Sequence, residues 1–118
     1  MIESELMELA EGMDLIYYDN AGDWFWNDDR NKMWAPHLND KHCEQVLTWL
    51  SKNNWHYEER RQPTGHFGDA AGIWIEIWHH DSEVHHRWDG SLYFRHQGVC
   101  SLALRVVRET KEVLNEAR

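Results

Sequence analysis

The sequence is poor in cysteine and proline, with two of each in 118 residues. Cys43 and Cys100 have no paired spacing such as CxxC, so the sequence predicts neither a disulfide framework nor a zinc ribbon. Both fall on apolar helix faces and are interpreted as buried free thiols, as in a protein of the reducing cytoplasm. No apolar run reaches the length of a membrane span, and no charged-then-apolar leader begins the chain. Neither a transmembrane helix nor a secretion signal is therefore expected.

The sequence also lacks the short motifs of common catalytic sites. It contains no GxSxG, no glycine-rich phosphate loop, no HRD-type loop and no HExxH zinc motif. HDSEV, residues 80 to 84, resembles the start of an inverted HxxEH motif but has no histidine at position 84. Cys43 follows His42 directly, and consecutive helix residues diverge, so this adjacency does not make a nucleophile and its base. The expectation is a protein that is not an enzyme.

Residues 1 to 29 contain no Lys or Arg, although they contain nine acidic residues. The rest of the chain contains 12 acids and 12 bases, so the net charge of −9 arises entirely in the first quarter. A nucleic-acid-binding surface needs clustered Lys and Arg, so direct binding to nucleic acid is not expected. The acids would instead attract a basic partner surface, or would simply keep a tryptophan-rich chain in solution.

Aromatic residues are interleaved with these acids between Tyr17 and Trp34. Tyrosine and tryptophan are enriched at the energetic centres of protein interfaces. Carboxylates could stand in for phosphates and the rings for stacked bases, which would partly mimic a nucleic acid. In the alternative interpretation, the rings form a second core that covers Trp74 and Trp78. The predicted partner-binding residues, called the acidic aromatic surface below, are Asp19, Asp23, Trp24, Trp26, Asp28 and Asp29.

Hydrophobic periodicity predicts one α+β domain over residues 1–118, with elements in the order α-(ββ)-α-β-β-β-α. An antiparallel meander of three strands, or slightly more, packs with helices. An acidic aromatic segment, residues 1–34, lies on an αβββα core, residues 35–118. The predicted elements are a helix from Ser4 as cap to Gly12, a hairpin around the turn at residues 19–22, a helix capped by Asn39 or Asp40 and ended by Asn53-Asn54, strands at 55–61, 73–78, 84–88 and 91–96, and a helix at 98–117.

The strand that begins after Gly72 is expected to be central and covered on both faces, because both of its faces carry large apolar side chains. Asp89-Gly90 is a strong hairpin signal and predicts a turn between the strands at 84–88 and 91–96. The stretch from Gln62 to Gly72 is rich in glycine and alanine and is predicted to be a mobile loop. Exposed edge strands at 55–61 or 91–96 would permit a homodimer as well as a monomer.

Each of the two long helices has an apolar stripe at helical spacing. In the earlier helix the stripe is Cys43, Val46, Leu47 and Leu50. In the last helix it is Val99, Leu102, Ala103, Val106, Thr110 and Val113, with Leu104, Val107 and Leu114 beside it. Opposite charges one turn apart predict the ion pairs Arg105–Glu109 and Arg108–Glu112 on its solvent side.

Three stretches resemble a known family: APHLNDKHCEQVLTWL at 35–50, GIWIEIW at 72–78 and VCSLALRVV at 99–107. With the order helix, meander, helix, they resemble the phage ABA sandwich family over about residues 35–107. That family has a conserved Ala-rich helix of the form A-I-C-R-A-A-L, whose cysteine and apolar spacing are matched at residues 99–104. The first helix and the acidic aromatic segment depart from the family. The resemblance implies a small phage-encoded accessory protein, and the family has no assigned catalytic residues to carry over.

Two histidine pairs, His79–His80 and His85–His86, bracket a short acidic turn. If Ser82-Glu83 is a two-residue turn, His79 faces His86 on one side of the sheet and His80 faces His85 on the other. A closed zinc site needs four ligands and a catalytic one needs three plus water. A Zn or Ni site at His79, His80, His85 and His86 therefore needs further ligands, for which Asp81, Glu83, His66 and His96 are available.

These observations favour a small phage-encoded inhibitor without a cofactor, such as an anti-CRISPR or other anti-defence protein. It would bind a basic, nucleic-acid-handling protein of the host cytoplasm through the acidic aromatic surface. One alternative is a binding protein or sponge for an anionic nucleotide signal. Its pocket would be formed by Trp74, Trp78, His80 and Arg87, with support from Arg60, Arg61 and Arg95. The other alternative is a histidine-rich metal-binding protein.

Overall fold

The described residues form three α-helices and two antiparallel three-stranded sheets. The computed structural model describes residues 2–15, 17–18, 23–26, 29–67 and 70–116, of which residues 17–33, 62–70 and 114–116 are described by their backbone. The order of elements confirms the predicted α+β class. The elements are α1 (Glu3–Gly12), β1 (Tyr17–Tyr18), β2 (Asp23–Trp26), β3 (Asp29–Met33), α2 (Asp40–Lys52), β4 (Trp55–Phe67), β5 (Ala70–His79), β6 (His85–Ser91), a 3-10 turn (Leu92–Phe94) and α3 (Arg95–Glu116).

The core sheet has the order β4-β5-β6, so β5 is central, as predicted. Strand side chains alternate between faces, and Ile73, Ile75 and Ile77 all lie on one face of β5. Each of these isoleucines is at most 2% exposed. This face, called the inner face below, is covered by α2 on β4 and by α3 on β5 and β6. The alternating isoleucines of β5 therefore form the part of the core that the sheet contributes.

Helix α2 follows the sequence prediction closely. Asn39 caps it by accepting a hydrogen bond from the backbone N–H of His42 at 3.1 Å. After the helix, Asn54 adopts a left-handed backbone with φ 67°, a conformation that asparagine tolerates better than most residues. Cys43, Val46 and Leu50 are each at most 1% exposed, which confirms the predicted apolar stripe.

Helix α3 is buried along only part of the predicted stripe. Its buried residues are Val99, Cys100, Leu102, Ala103, Leu104, Val106 and Val107. The prediction that the stripe continues to Thr110 and Val113 is wrong, because Thr110 is exposed and 64% of Val113 is accessible to solvent. Among the residues described with their side chains, the buried part of α3 therefore ends at Val107.

Helix α1 is held against α3 by an ion pair and a close backbone approach. The Arg108 guanidinium donates to both carboxylate oxygens of Glu8 at 2.8 and 3.1 Å and holds the pKa of Glu8 below its usual value. A side chain at Gly12 would overlap Val107, so the glycine allows the two helices to approach closely. Ser4 is not the N-cap, because the helix begins after Ile2, whose backbone N–H donates to Glu5.

The predicted ion pairs along α3 are wrong for a related reason. Arg108 pairs with Glu8 of α1 rather than with Glu112, and Glu109 pairs with His86 of β6 rather than with Arg105. Arg108 and Glu109 each pair with a residue of a neighbouring element. Charges of α3 are therefore used to dock the helix on α1 and on the sheet.

The predicted turn at Asp89-Gly90 is also wrong. Both residues lie inside β6, where Asp89 pairs with Trp74 and Gly90 pairs with Ile73. Gly90 is required for space and not for a turn, since a Cβ there would lie 2.6 Å from the indole of Trp88. Residues 91–96 consequently end β6, form the 3-10 turn and begin α3. The third strand of the meander is β4 instead.

The predicted loop from Gln62 to Gly72 is mostly strand. β4 continues to Phe67 and β5 begins at Ala70, and these two residues are paired, with an irregular register between Gln62 and Phe67. This stretch is rich in glycine and alanine and lacks the alternation of apolar and polar side chains by which a strand is predicted. Its backbone pairing could therefore not be predicted from the sequence.

A second sheet, β1-β2-β3, precedes the core. Tyr17 pairs with Trp24, which confirms the predicted hairpin, although its turn at residues 19–22 lies outside the described residues. The polar strand β3 was not predicted. Trp34 then enters the core at 3% exposure, and its indole N–H donates to Gln45 at 2.8 Å. Across the described part of the chain, no helix combines the length and the apolar character needed to cross a bilayer.

Gly98 provides a test of the packing around Trp88, because a Cβ there would lie 2.6 Å from the Cδ2 atom of that ring. Gly→Ala in a helix interior normally stabilises by about 1 kcal/mol. We expect Gly98→Ala instead to lower the free energy of unfolding by about 1–3 kcal/mol, because the ring must move. Urea unfolding monitored by circular dichroism measures this change.

The matched control is Ser101→Ala, which lies one turn along on the exposed side of α3 and should change the stability little. In a Trp88→Leu background, Gly98→Ala should raise the free energy of unfolding, as it does in an ordinary helix interior. Stabilisation of the unaltered background by Gly98→Ala would contradict this description of the packing.

Candidate functional site

The face of the core sheet opposite the helices, called the outer face below, carries aromatic and charged side chains in cross-strand rows. Its side chains are partly accessible, from 27% exposed for Glu76 to 63% for Arg60. Trp74 and Trp78 are half-buried. The expectation that β5 is covered on both faces is therefore wrong for the outer face. The rows are His56–Trp78–His85, Glu58–Glu76–Arg87 and Arg60–Trp74–Asp89.

The structure brings Trp74 and Arg87 of the predicted nucleotide pocket together. The Arg87 guanidinium carbon lies 5.1 Å from the centre of the Trp74 ring, a cation–π distance. Arg87 also donates to Asp89 at 2.9 Å and lies 3.5 Å from Glu76. The hydrogen bonds to Asp89 raise the pKa of Arg87. Two carboxylates thus already neutralise the cation that would have to bind a phosphate.

The supporting arginines are neutralised in the same way. Arg60 pairs with Glu58 at 3.0 Å on the outer face. Arg61 and Arg95 belong with the inner face and share Glu59, at 3.9 and 2.8 Å. The structure therefore does not collect these cations into one anion-binding pocket.

His80 and Trp78 are joined by His56, a residue that sequence reasoning missed. His56 Nε2 lies 2.6 Å from His80 Nδ1, within hydrogen-bonding distance. The His56 ring also stacks on Trp78, with centroids 5.4 Å apart and planes inclined by 20°. The alternation of residues 55–61 places His56 on the outer face, but only the register of β4 against β5 shows that it meets His80.

The turn between β5 and β6 is longer than predicted. His79 N–H donates to the carbonyl of Val84 at 3.0 Å, and the ladder then pairs Trp78 with His85 and Ile77 with His86. The expected pairs His79–His86 and His80–His85 are wrong by two residues of register. A shift of two retains the face of every side chain, so His79 and His86 still lie on the inner face.

The inner-face histidines flank Trp55. His86 stacks on that indole at 5.9 Å, and His79 meets its edge at 5.2 Å. The ring of His86 is 15% exposed, and its Nε2 lies 2.9 Å from a Glu109 oxygen. The backbone N–H of Asp81 donates to His79 Nδ1 at 3.3 Å, which assigns the proton of a neutral His79 ring to Nε2.

The four predicted metal ligands do not converge. His80 meets His56 on the outer face, whereas His85 lies 3.3 Å from Glu76. His79 and His86 lie on the other side of the sheet. Within the part of the chain that the structure describes, no group of three or more His, Cys, Asp or Glu side chains is placed to hold a metal ion.

The acidic aromatic surface falls largely within the second sheet. Asp23, Trp24 and Trp26 are positions of β2, and Asp29 begins β3. The backbone register pairs Trp26 with Asp29, and β3 then adds Arg30 and Lys32, so this sheet carries bases as well as acids. Asp19 and Asp28 lie outside the described residues.

The two thiols lie in the core, as predicted. Burial raises the pKa of Cys43 to about 11 and also raises the pKa of Cys100. His42 is 4% exposed, and its Nδ1 accepts a hydrogen bond from the backbone N–H of Ala35 at 2.9 Å. These contacts give Cys43 the character of a packing residue and not of a nucleophile.

Comparison of the chain with protein-family models, with curated proteins and with solved structures gave no match. The resemblance of residues 35–107 to the phage ABA sandwich family stays a prediction. α2, the β4-β5-β6 meander and α3 follow one another in the order that this resemblance uses.

Both thiols should resist alkylation in the native protein. A pKa about two units above that of a free cysteine lowers the thiolate fraction about a hundredfold, and burial adds a steric block. We expect iodoacetamide at neutral pH to label neither cysteine natively and both in urea, as counted by intact mass. Rapid native labelling of Cys43 would contradict this assignment. Cys43→Ser, followed in the same assay, identifies which thiol reacts.

Proposed function

We propose that this protein is a small non-enzymatic inhibitor that binds a basic, nucleic-acid-handling host protein through the acidic aromatic surface. The observation that carries the proposal is the segregation of charge. Residues 1–29 contain nine acids and no Lys or Arg, whereas the remaining residues are balanced. Together with the resemblance to a phage family, this favours an anti-CRISPR or other anti-defence protein of the host cytoplasm.

The described contacts show that several acids form ion pairs that hold elements of the fold together. Glu8 is bound to Arg108 and serves to hold α1 in place. In the core, Glu58, Glu59, Glu76 and Asp89 are each paired with an arginine. The acids of β2 and β3 belong to a sheet separate from that core. The proposal assigns the acids of the second sheet to the attraction of a partner and the paired acids of the core to holding its elements together.

Electrostatic attraction explains why such a surface would find a nucleic-acid-binding groove. Charges on exposed groups act over about 8–10 Å at physiological salt, so a cluster of one sign steers an oppositely charged protein before contact. Tryptophans within the cluster would then supply the apolar burial that determines the dissociation rate. This protein would then compete with the partner's nucleic acid for the same groove.

The nucleotide alternative is less well supported. A phosphate on the outer face would have to displace Asp89 and Glu76 from Arg87, which are 2.9 and 3.5 Å away. Removing a carboxylate from its hydrogen-bonded cation costs part of the affinity that the phosphate would gain. The proposal therefore places the binding surface on the second sheet and not on the outer face.

The proposal is tested by reversing three acids, in Asp23→Lys, Asp28→Lys and Asp29→Lys combined. The protein is immobilised and exposed to host lysate at low and high salt, and bound proteins are identified by mass spectrometry. We expect a basic protein that elutes at high salt. Its affinity, then measured with the purified partner, should fall about a hundredfold in the triple variant, because each reversed charge replaces attraction by repulsion.

The matched control reverses the charge of three exposed glutamates outside the second sheet, in Glu44→Lys, Glu83→Lys and Glu112→Lys combined. Both variants change the net charge equally. Equal loss of affinity in both would show that net charge, and not this surface, attracts the partner. Unchanged affinity in the first variant, with circular dichroism confirming the fold, would refute the proposal.

A further inference from the structure

A cavity of about 680 Å³ opens at one end of the core, where the ends of α1 and α2, the start of β4, the β5–β6 turn and α3 meet. Its apolar lining includes Trp49, Trp55, Val84, Val107 and Val113. Sites for small molecules typically enclose about 300–1,000 Å³ and are mostly apolar with a few polar groups. The volume and the lining of this cavity agree with both properties.

The rim of the cavity exposes apolar surface that the fold leaves uncovered. Val84 is 41% exposed and Val113 is 64% exposed, and they approach the cavity from the β5–β6 turn and from α3. Covering these side chains would remove apolar area from water, which favours binding by roughly 25 cal/mol for each Å². Val113 continues the apolar stripe of α3 but is not buried in the core. A ligand that covers Val113 would account for an apolar residue at this position.

The polar groups of the lining favour a cation. Asp14 and Glu109 contribute carboxylates, against a single ammonium from Lys111. His86 Nε2 lies 2.9 and 3.0 Å from the two Glu109 oxygens, so one imidazole nitrogen is shared between them and each oxygen keeps a further lone pair to accept a hydrogen bond. The net charge of −9 attracts cations to the whole molecule.

The aromatic walls favour the same class of ligand. The faces of tryptophan rings attract cations, and they also stack on flat ring systems. Trp55 is held between His79 and His86, at 5.2 and 5.9 Å, so its ring is already oriented in the free protein. A preoriented wall lowers the entropic cost of binding.

We propose that this cavity binds a small, flat aromatic molecule that carries a cationic amine. The ring lies among Trp49, Trp55 and the valines, and the amine is directed to Glu109. The ligand is a free small molecule and not a peptide, because α1, α2, β4 and the β5–β6 turn converge on residues 106–113 of α3 and form one cavity instead of a long groove. This site is distinct from the acidic aromatic surface and does not depend on the proposed function.

Three probes that share an indole ring and differ in charge test the proposal: tryptamine, indole and indole-3-propionate. Each is titrated into the ¹⁵N-labelled full-length protein, and amide and indole N–H resonances are followed by NMR. We expect tryptamine to shift the indole signals of Trp49 and Trp55. It should bind about five- to tenfold more tightly than indole, and indole-3-propionate should bind most weakly.

Two variants locate the interaction. Glu109→Gln should reduce the affinity for tryptamine to that for indole, whereas Glu112→Gln, an exposed acid of α3 outside the lining, should leave it unchanged. Val113→Trp should weaken all three probes by filling the mouth of the cavity, and the fold should tolerate it because Val113 is exposed.

Several outcomes would overturn the proposal. Equal affinity for the three probes would show an apolar cavity without selection for charge, and shifts confined to other residues would place the ligand elsewhere. An unaltered tryptamine affinity in Glu109→Gln would remove the assigned role of that carboxylate. Tighter binding of the tripeptide Lys-Trp-Lys than of tryptamine would show that the cavity receives a protein segment.

Discussion

The packing of one indole against two glycines determines how the second half of the chain folds. The Trp88 ring lies so close to Gly90 and Gly98 that neither position has room for a Cβ. Gly90 lets the ring lie along its own strand, and Gly98 lets the first turn of α3 approach it. These contacts hold the end of β6 against the start of α3. The contact between His86 and Glu109 lies farther along the same two elements.

Charge is arranged differently in the two parts of the molecule. In the core, arginine and carboxylate side chains pair across elements, as in Arg95–Glu59 at 2.8 Å and Arg108–Glu8 at 2.8 Å. Such pairs position elements, and the exposed one, Arg108–Glu8, contributes about 0–1 kcal/mol, as exposed ion pairs typically do. The first 29 residues have no internal bases with which to form such pairs among themselves. Acids of this segment therefore find bases later in the chain, as Glu8 finds Arg108, or attract them on another protein.

The sequence predicted the features that depend on side-chain periodicity. α2 was predicted because Cys43, Val46 and Leu50 repeat at helical spacing, and β5 because its isoleucines alternate. The turn predicted at Asp89-Gly90 was wrong, because the sequence alone does not distinguish a glycine that forms a turn from a glycine that makes room for a neighbouring ring. The register of the histidine turn could not be predicted because Ser82-Glu83 has no strong turn preference.

The sites were harder to predict than the elements. His56 meets His80 only through the pairing of β4 with β5, which no local pattern reveals. The cavity was missed because its lining residues come from the ends of separate elements, and each alone resembles an ordinary core or surface residue. Val113 continues the apolar spacing of α3, so the sequence assigned it to the core, although it is 64% exposed and lines the cavity.

The His56–His80 hydrogen bond links the two rings by more than proximity. A neutral imidazole has one N–H and one bare nitrogen, so the 2.6 Å bond between His56 Nε2 and His80 Nδ1 fixes both tautomers together. If His56 donates, its Nδ1 is bare and His80 presents Nε2–H; if His80 donates, both assignments reverse. The neutral pair therefore always presents one donor and one acceptor at its two ends. A group that binds one end of the pair therefore determines whether the other end offers a donor or an acceptor.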